Sequence, residues 1–167
     1  MKQFIREAVA RGLNNHQACS NVNLTQEVIK FVSTFDTLES FFRAGGLSVE
    51  MLDRLAFGFC DTDITRLPAK QLKIKWKEDW GNVKWEVGKS KLTPKEWSKK
   101  IDLSDPIDVV YEKNNFYVDD GHHRTYAGKV LGVDLPVSLT IKQSPTETLG
   151  FSDYDSLIKC VFNKVKK

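Results

Sequence analysis

Residues 118–132 read VDDGHHRTYAGKVLG, and within that stretch Asp119, Asp120, Gly121, His122, His123 and Arg124 follow one another without interruption. The chain has three histidines in all, so two of them side by side ask for a physical reason. An apolar, strand-like run precedes the string and an amphipathic, helix-like run follows it. A helix starting there leaves its first backbone N–H groups without intrahelical acceptors and puts the positive end of its dipole at Gly121 to His123. Such a turn suits an anion. Gly121 lets the backbone approach an oxyanion, Arg124 offers a planar fork matched to phosphate oxygens, and His122 and His123 can donate hydrogen bonds or titrate near neutral pH. Adjacent helical side chains point about 100° apart, so one histidine is expected to face a small ligand and the other to pack beside it. The competing reading is a plain helix start, with Asp120 as N-cap and both histidines as surface or packing residues.

A metal site built on the histidines is not indicated, because they lack the i, i+4 spacing of two ligands on one helix face and no cysteine is near them in sequence. A nucleotide-bound Mg²⁺ held by Asp119 or Asp120 remains open, since that ion takes only one or two carboxylates plus phosphate oxygens.

The elements that must position this string follow from hydrophobic period. Residues 1–60 read as helical: Leu24, Val28, Phe31, Val32, Phe35, Leu38, Phe41 and Phe42 recur at spacings of three and four, predicting one long apolar face. Gly45 and Gly46 should end that helix, and Ser48 should cap the next. From about residue 64 the period changes to two. Leu72, Ile74 and Trp76 alternate with Lys73, Lys75 and Lys77, and Val83, Trp85 and Val87 with Lys84 and Glu86, which predicts a basic hairpin over 70–91. On that reading Trp76 and Trp85 face the core, and Glu78 and Asp79 lie in a solvated loop. Thr93, Pro94 and Glu96 predict a capped short helix. Then come strands at "PIDVVY" and "FYVD", the helix "HHRTYAGKVLG", a strand at "LPVSLTI" and a final helix, "SLIKCVFNKVKK". The class expected is α+β: an N-terminal helical extension over 1–60 and a mixed-sheet domain over 61–167.

Composition limits the alternatives. With 167 residues, 41% hydrophobic, 28% charged and a formal net charge of +3, the chain has the make-up of an ordinary globular protein, and so small a charge does not by itself imply nucleic acid. Cys19, Cys60 and Cys160 are far apart and odd in number, which predicts neither a disulfide framework nor a Cys-x-x-Cys site and favours a reducing, cytoplasmic setting. "MKQFIREAVARG" lacks the continuous apolar stretch of a secretory signal, and its basic character as a mitochondrial leader is opposed by Glu7. No run approaches the roughly 18 apolar residues of a membrane span, so no membrane partner is expected.

The order of elements over residues 105–139, "DPIDVVYEKNNFYVDDGHHRTYAGKVLGVDLPVSL", resembles the central motif of the ParB/sulfiredoxin superfamily. There a Pro-Ile-x-Val strand, a hairpin, an Asp-Gly-x-x-Arg turn, a helix ending in Leu-Gly and a Leu-Pro-Val strand follow one another. The resemblance implies a small fold that binds nucleotide or phosphate at the turn: ATP or ADP, or CTP, with Mg²⁺. Its members include CTP-binding DNA segregation proteins, sulfiredoxins, proteins described as nucleases, and kinases of free serine. Sulfiredoxins carry a reactive cysteine where this chain has His122, and the segregation proteins usually read Gly-Glu-Arg-Arg and continue into a helix-turn-helix domain. The Asp-Gly-His-His-Arg form is most similar to the free serine kinase branch. Those kinases use a glutamate from the N-terminal part of the fold as base, for which Glu78, Asp79 and Glu86 are the candidates here.

Three functions follow as expectations. The first is a nucleotide-dependent phosphotransferase or phosphohydrolase with a small hydroxyl-bearing acceptor. Asp120, Gly121, His122, His123 and Arg124 would hold the nucleotide, Asp119 or Asp120 the metal, and Glu78, Asp79, His122 and His123 would do the chemistry. The second is a DNA-binding protein or nuclease using the lysines and tryptophans of 70–91. The third is a non-catalytic module whose phenylalanine-rich N-terminal helices dock to a partner or form a homodimer.

Overall fold

The structure is a computed structural model and describes residues 15–167, so the expectation about a leader at the start of the chain lies outside the described residues. In chain order the first elements are α1 (Asn15–Ser20), α2 (Gln26–Val32), α3 (Leu38–Arg43), α4 (Val49–Phe57), β1 (Arg66–Pro68) and β2 (Leu72–Ile74). There follow α5 (Lys77–Ser90), α6 (Pro94–Lys99), β3 (Ile107–Glu112), β4 (Asn115–Asp120) and α7 (His122–Leu131). The last are β5 (Asp134–Ile141), α8 (Pro145–Thr148) and α9 (Tyr154–Lys166). The chain divides into two compact units. One runs to Cys60 and resumes with Ser144–Lys167, and the other is Asp61–Gln143.

The first unit is helical. The single long helix expected from Leu24 to Phe42 is instead two, because Thr37 restarts it. The Thr37 hydroxyl accepts from the Ser40 N–H at 3.1 Å, and the Thr37 N–H donates to the Ser40 hydroxyl at 3.3 Å. This reciprocal cap satisfies two donors that a new helix would otherwise leave bare. The apolar stripe survives the break: Val28, Val32 and Phe41 are buried in one core with Phe31 and Phe35 packed on it. Gly46 has φ +70°, and its N–H donates to the Phe41 carbonyl, closing α3 as expected. Ser48 caps α4 by accepting from the Met51 N–H. The sequence reading put residues 144–167 with the sheet, but α9 lays Leu157, Ile158, Val161 and Phe162 into the helical core. Its apolar face needs a partner, and α1, α2 and α3 supply it.

A disulfide joins Cys19 of α1 to Cys160 of α9, which corrects the expectation that the cysteines would stay apart. Their distance in sequence was misleading because α9 returns to α1 in space, with Cα atoms 5.7 Å apart. The cysteine pattern therefore no longer supports a reducing compartment. Lys164 strengthens the same junction by donating to the carbonyls of Cys19 and Val22, both at 2.8 Å. In the chain-entropy model, a link across 141 residues is worth about 5 kcal/mol. Thermal unfolding with and without reductant should therefore show a clearly lower midpoint in the reduced protein. Coincident midpoints would show that packing alone holds α9.

The second unit carries a five-stranded mixed sheet in the order β1-β5-β3-β4-β2. β3 and β4 form an antiparallel hairpin around Lys113 and Asn114, both at positive φ. β5 lies parallel to β3 with Val109 opposite Leu139, and β2 lies parallel to β4 with Ile74 opposite Val118. The edge strands β1 and β2 are three residues each, too short to offer a long open edge. This is the α+β class expected from the sequence, and the strand–hairpin–turn–helix–strand order is the one the ParB/sulfiredoxin-like reading requires.

The hairpin expected over 70–91 is the main correction. Only Leu72–Ile74 is strand, and Lys77–Ser90 is a 14-residue helix. Val83 and Val87, one turn apart, are buried in a cluster with Trp97 and Ala127, while Trp85 between them, which period two would put on the same face, is not. Glu78 and Asp79 in the first turn and Lys89 in the last also favour the helix dipole. Trp76 and Trp85 consequently point to solvent, 62% and 65% exposed, rather than to a core.

Helix α7 seats on the sheet through Gly128. A Cβ there would stand 2.7 Å from Leu135 Cδ1 and 3.0 Å from the Ala69 Cβ, and Leu135 is fully buried. Gly128→Ala sets a helix-propensity gain of about 1 kcal/mol against an overpacking cost of about 1–3 kcal/mol. The expected result is a lower midpoint in chemical denaturation, and a raised one would mean α7 stands off the sheet.

Candidate functional site

The site is built at the junction of β4 and α7. Gly121 has φ +106°, and a side chain there would also meet Ile107 Cγ1 at 3.1 Å, so both backbone and space demand glycine. Its carbonyl accepts from the Thr125 N–H and from the Thr125 hydroxyl, each at 2.9 Å. No side chain caps α7. The expectation of Asp120 as N-cap is thereby overturned, and the first N–H groups of α7 have no intrahelical acceptor.

A cavity of about 300 Å³ opens there, lined by Asp79, Asn82, Val83, Asp120, Gly121, His122, His123 and Arg124. The two histidines are both engaged from α5. His122 Nε2 lies 3.6 Å from Asp79 Oδ2, buried and just beyond hydrogen-bond distance. His123 Nε2 meets Glu86 Oε2 at 2.7 Å, with its ring near Trp97 at 6.1 Å between centroids. Asp79 and Glu86 are seven residues apart, two turns along one helix face, which is how adjacent histidines can each find a carboxylate. Both pairs are partly exposed, so each contributes at most about 1 kcal/mol to stability.

The remaining expected residues divide. Asp120 lines the cavity, whereas Asp119 does not and instead acts on Lys75. Glu112 is the main cause of the raised Lys75 pKa, through a 2.6 Å hydrogen bond, and Asp119 adds a smaller electrostatic contribution. Glu78 is exposed and lies outside the cavity, while Asp79 is inside. Arg124 lines the cavity, but its Nη1 donates to the carbonyls of Asp105 at 2.6 Å and Pro106 at 2.8 Å, fastening the segment that enters β3. Asn82 was missed by sequence reasoning. Once 77–90 is written as a helix, Asp79, Asn82 and Glu86 fall at i, i+3 and i+7, a signal that the assumed hairpin hid. Among the described residues, no group of three or more histidines, cysteines or acids could hold a metal ion by itself.

Fold and site together define a small α+β unit with an uncapped helix N-terminus opening into a cavity of mixed charge. No protein-family model matches the chain, and no curated protein matches it. Among solved structures, the chain is similar to sulfiredoxin from Arabidopsis thaliana, at 17% identity and a TM-score of 0.24, over 47% of this chain and 83% of that one. A likeness at that level carries no assignment of ligand or activity. Among the described residues, no helix is long and apolar enough to cross a membrane.

Because Arg124 fastens backbone as well as lining the cavity, Arg124→Ala should cost about 1–3 kcal/mol in denaturant unfolding. An unchanged midpoint would show that the guanidinium is free to serve a ligand.

Proposed function

We propose that the cavity at the start of α7 binds the phosphates of a Mg²⁺ nucleotide, and that the chain is a nucleotide-dependent phosphotransferase or phosphohydrolase. The observation that carries this reading is the uncapped N-terminus of α7, whose free N–H groups open into a cavity where Glu86 of α5 holds His123 and the buried His122 Nε2, 3.6 Å from Asp79, has no hydrogen-bond partner. Helix N-termini of this kind favour phosphate through donors and dipole together.

The cavity also contains Asp79 and Asp120, which oppose a bare phosphate. Their presence fits a nucleotide that arrives with a divalent cation, for which Asp120 is the carboxylate in place and Asp119 is not. When bound, such a cation would neutralise phosphate charge. Asp79 is the best placed of the three expected bases, since Glu78 and Glu86 do not line the cavity and Glu86 is paired with His123, and His122 beside Asp79 can take up or return a proton. The Asp-Gly-His-His-Arg resemblance to free serine kinases supports a small hydroxyl-bearing acceptor such as serine.

The test is calorimetric titration of ATP, ADP and CTP, each with Mg²⁺, into the wild type and into His122→Ala, with circular dichroism to confirm folding. Binding should be at least tenfold weaker in the variant and should disappear on chelation of the metal. No binding of any nucleotide to the wild type at millimolar concentration would overturn the reading.

A further inference from the structure

The other face of α5 borders a second cavity, of about 720 Å³, that the proposed activity does not use. Lys70, Lys73, Lys77, Lys84 and Lys129 line it. No acidic residue lines this cavity, and among the described residues none of these five lysines makes an ion pair. Lys75 in the same stretch differs: Glu112 neutralises it at 2.6 Å. The acids Asp79 and Glu86 face the histidines instead, so α5 turns uncompensated positive charge toward one cavity and carboxylates toward the other. Burial lowers the pKa of Lys129 from the ordinary lysine value, as expected of an ammonium partly removed from water without a counter-charge.

The floor of the cavity is apolar, made by Leu72, Ile74 and the Trp80 ring, which packs on Tyr126 at 5.2 Å between centroids. Beside Trp80, Gly81 leaves open space where a side chain would stand. Trp85, four residues beyond Gly81 and outside the cavity lining, is 65% exposed, with the Lys89 ammonium 4.9 Å from its ring centroid. A ligand for this surface needs several negative charges at intervals and flat apolar groups between them. A single nucleic-acid strand has both, phosphates for the lysines and bases for the tryptophans. A duplex stacks its bases inward and presents a convex surface, which suits neither the concave floor nor the exposed indole.

We infer that the lysine-lined cavity between β2, α5 and α7 is a binding site for single-stranded nucleic acid, separate from the cavity at Gly121. The site takes the backbone along Lys70, Lys73, Lys77, Lys84 and Lys129, Trp80 offers a stacking face within it, and the exposed Trp85 offers a second outside the cavity.

The experiment is fluorescence anisotropy of a labelled oligothymidylate against the full chain over a series of salt concentrations. Five lysine–phosphate contacts predict a log–log salt slope of about −3.5. The double variant Lys73→Gln/Lys84→Gln should reduce the slope to about −2, and Trp85→Ala should weaken binding about fivefold or more. Lys75→Gln, outside the cavity and already paired, should leave binding unchanged. These exposed positions keep the fold, so loss of binding is not loss of structure. A flat salt response, equal affinity for a duplex, or full binding by the double variant would overturn the inference. So would lysine-dependent binding to anionic phospholipid vesicles with none to the strand. None of these readouts depends on nucleotide binding at Gly121, so the two proposals fail separately.

Discussion

The turn at Gly121 is the constraint on which the second unit depends. Three elements meet at this residue: β4 ends, α7 begins, and the Ile107 side chain at the start of β3 occupies the space beside it that a Cβ would enter. Only a residue without Cβ can hold φ +106° under that contact. Its carbonyl is fully used by Thr125, itself completely buried, so the direction in which α7 leaves the sheet is fixed by hydrogen bonds as well as packing. Arg124, one turn into the helix, then ties back to Asp105 and Pro106. The same few residues that shape the cavity also order the strands beside it.

Helix α5 divides the chemistry of that unit. Its buried ridge, Val83 and Val87 against Trp97 and Ala127, anchors it. With the ridge fixed, helical geometry assigns every other side chain to a side. Asp79 and Glu86 fall toward α7 and its histidines, Lys77 and Lys84 toward the cavity beside β2. Two cavities of different charge thus arise from one 14-residue segment, although neither its composition nor its net charge would suggest such a division.

Much of the sheet and of the turn was legible because the signals are local. The strand at 107–112, the turn at Lys113 and Asn114, the helix from His122 to Gly132 and the Thr93–Glu96 cap each depend on residues within a few positions of one another. What was not legible depends on contacts that no window contains. The segment 77–90 alternates lysine or glutamate with valine and tryptophan convincingly enough to read as a strand, and only Trp97 and Ala127, brought in from α6 and α7, make Val83 and Val87 a helical ridge. The Cys19–Cys160 bridge and the docking of α9 are non-local in the same sense. Of the cavity lining, residues 120–124 stand out in the sequence by type and spacing, whereas the presence of Asp79 rather than Glu78 there depends on which way α5 turns.

The first unit is discontinuous: its core is made from residues on both sides of Asp61–Gln143. During synthesis the N-terminal helices therefore emerge long before α9, and their phenylalanine-rich face lacks its native cover until α9 has been made. The sheet unit, complete by Gln143, can reach its own structure first. The first segment to be made thus depends for its core on the one that follows the whole sheet unit.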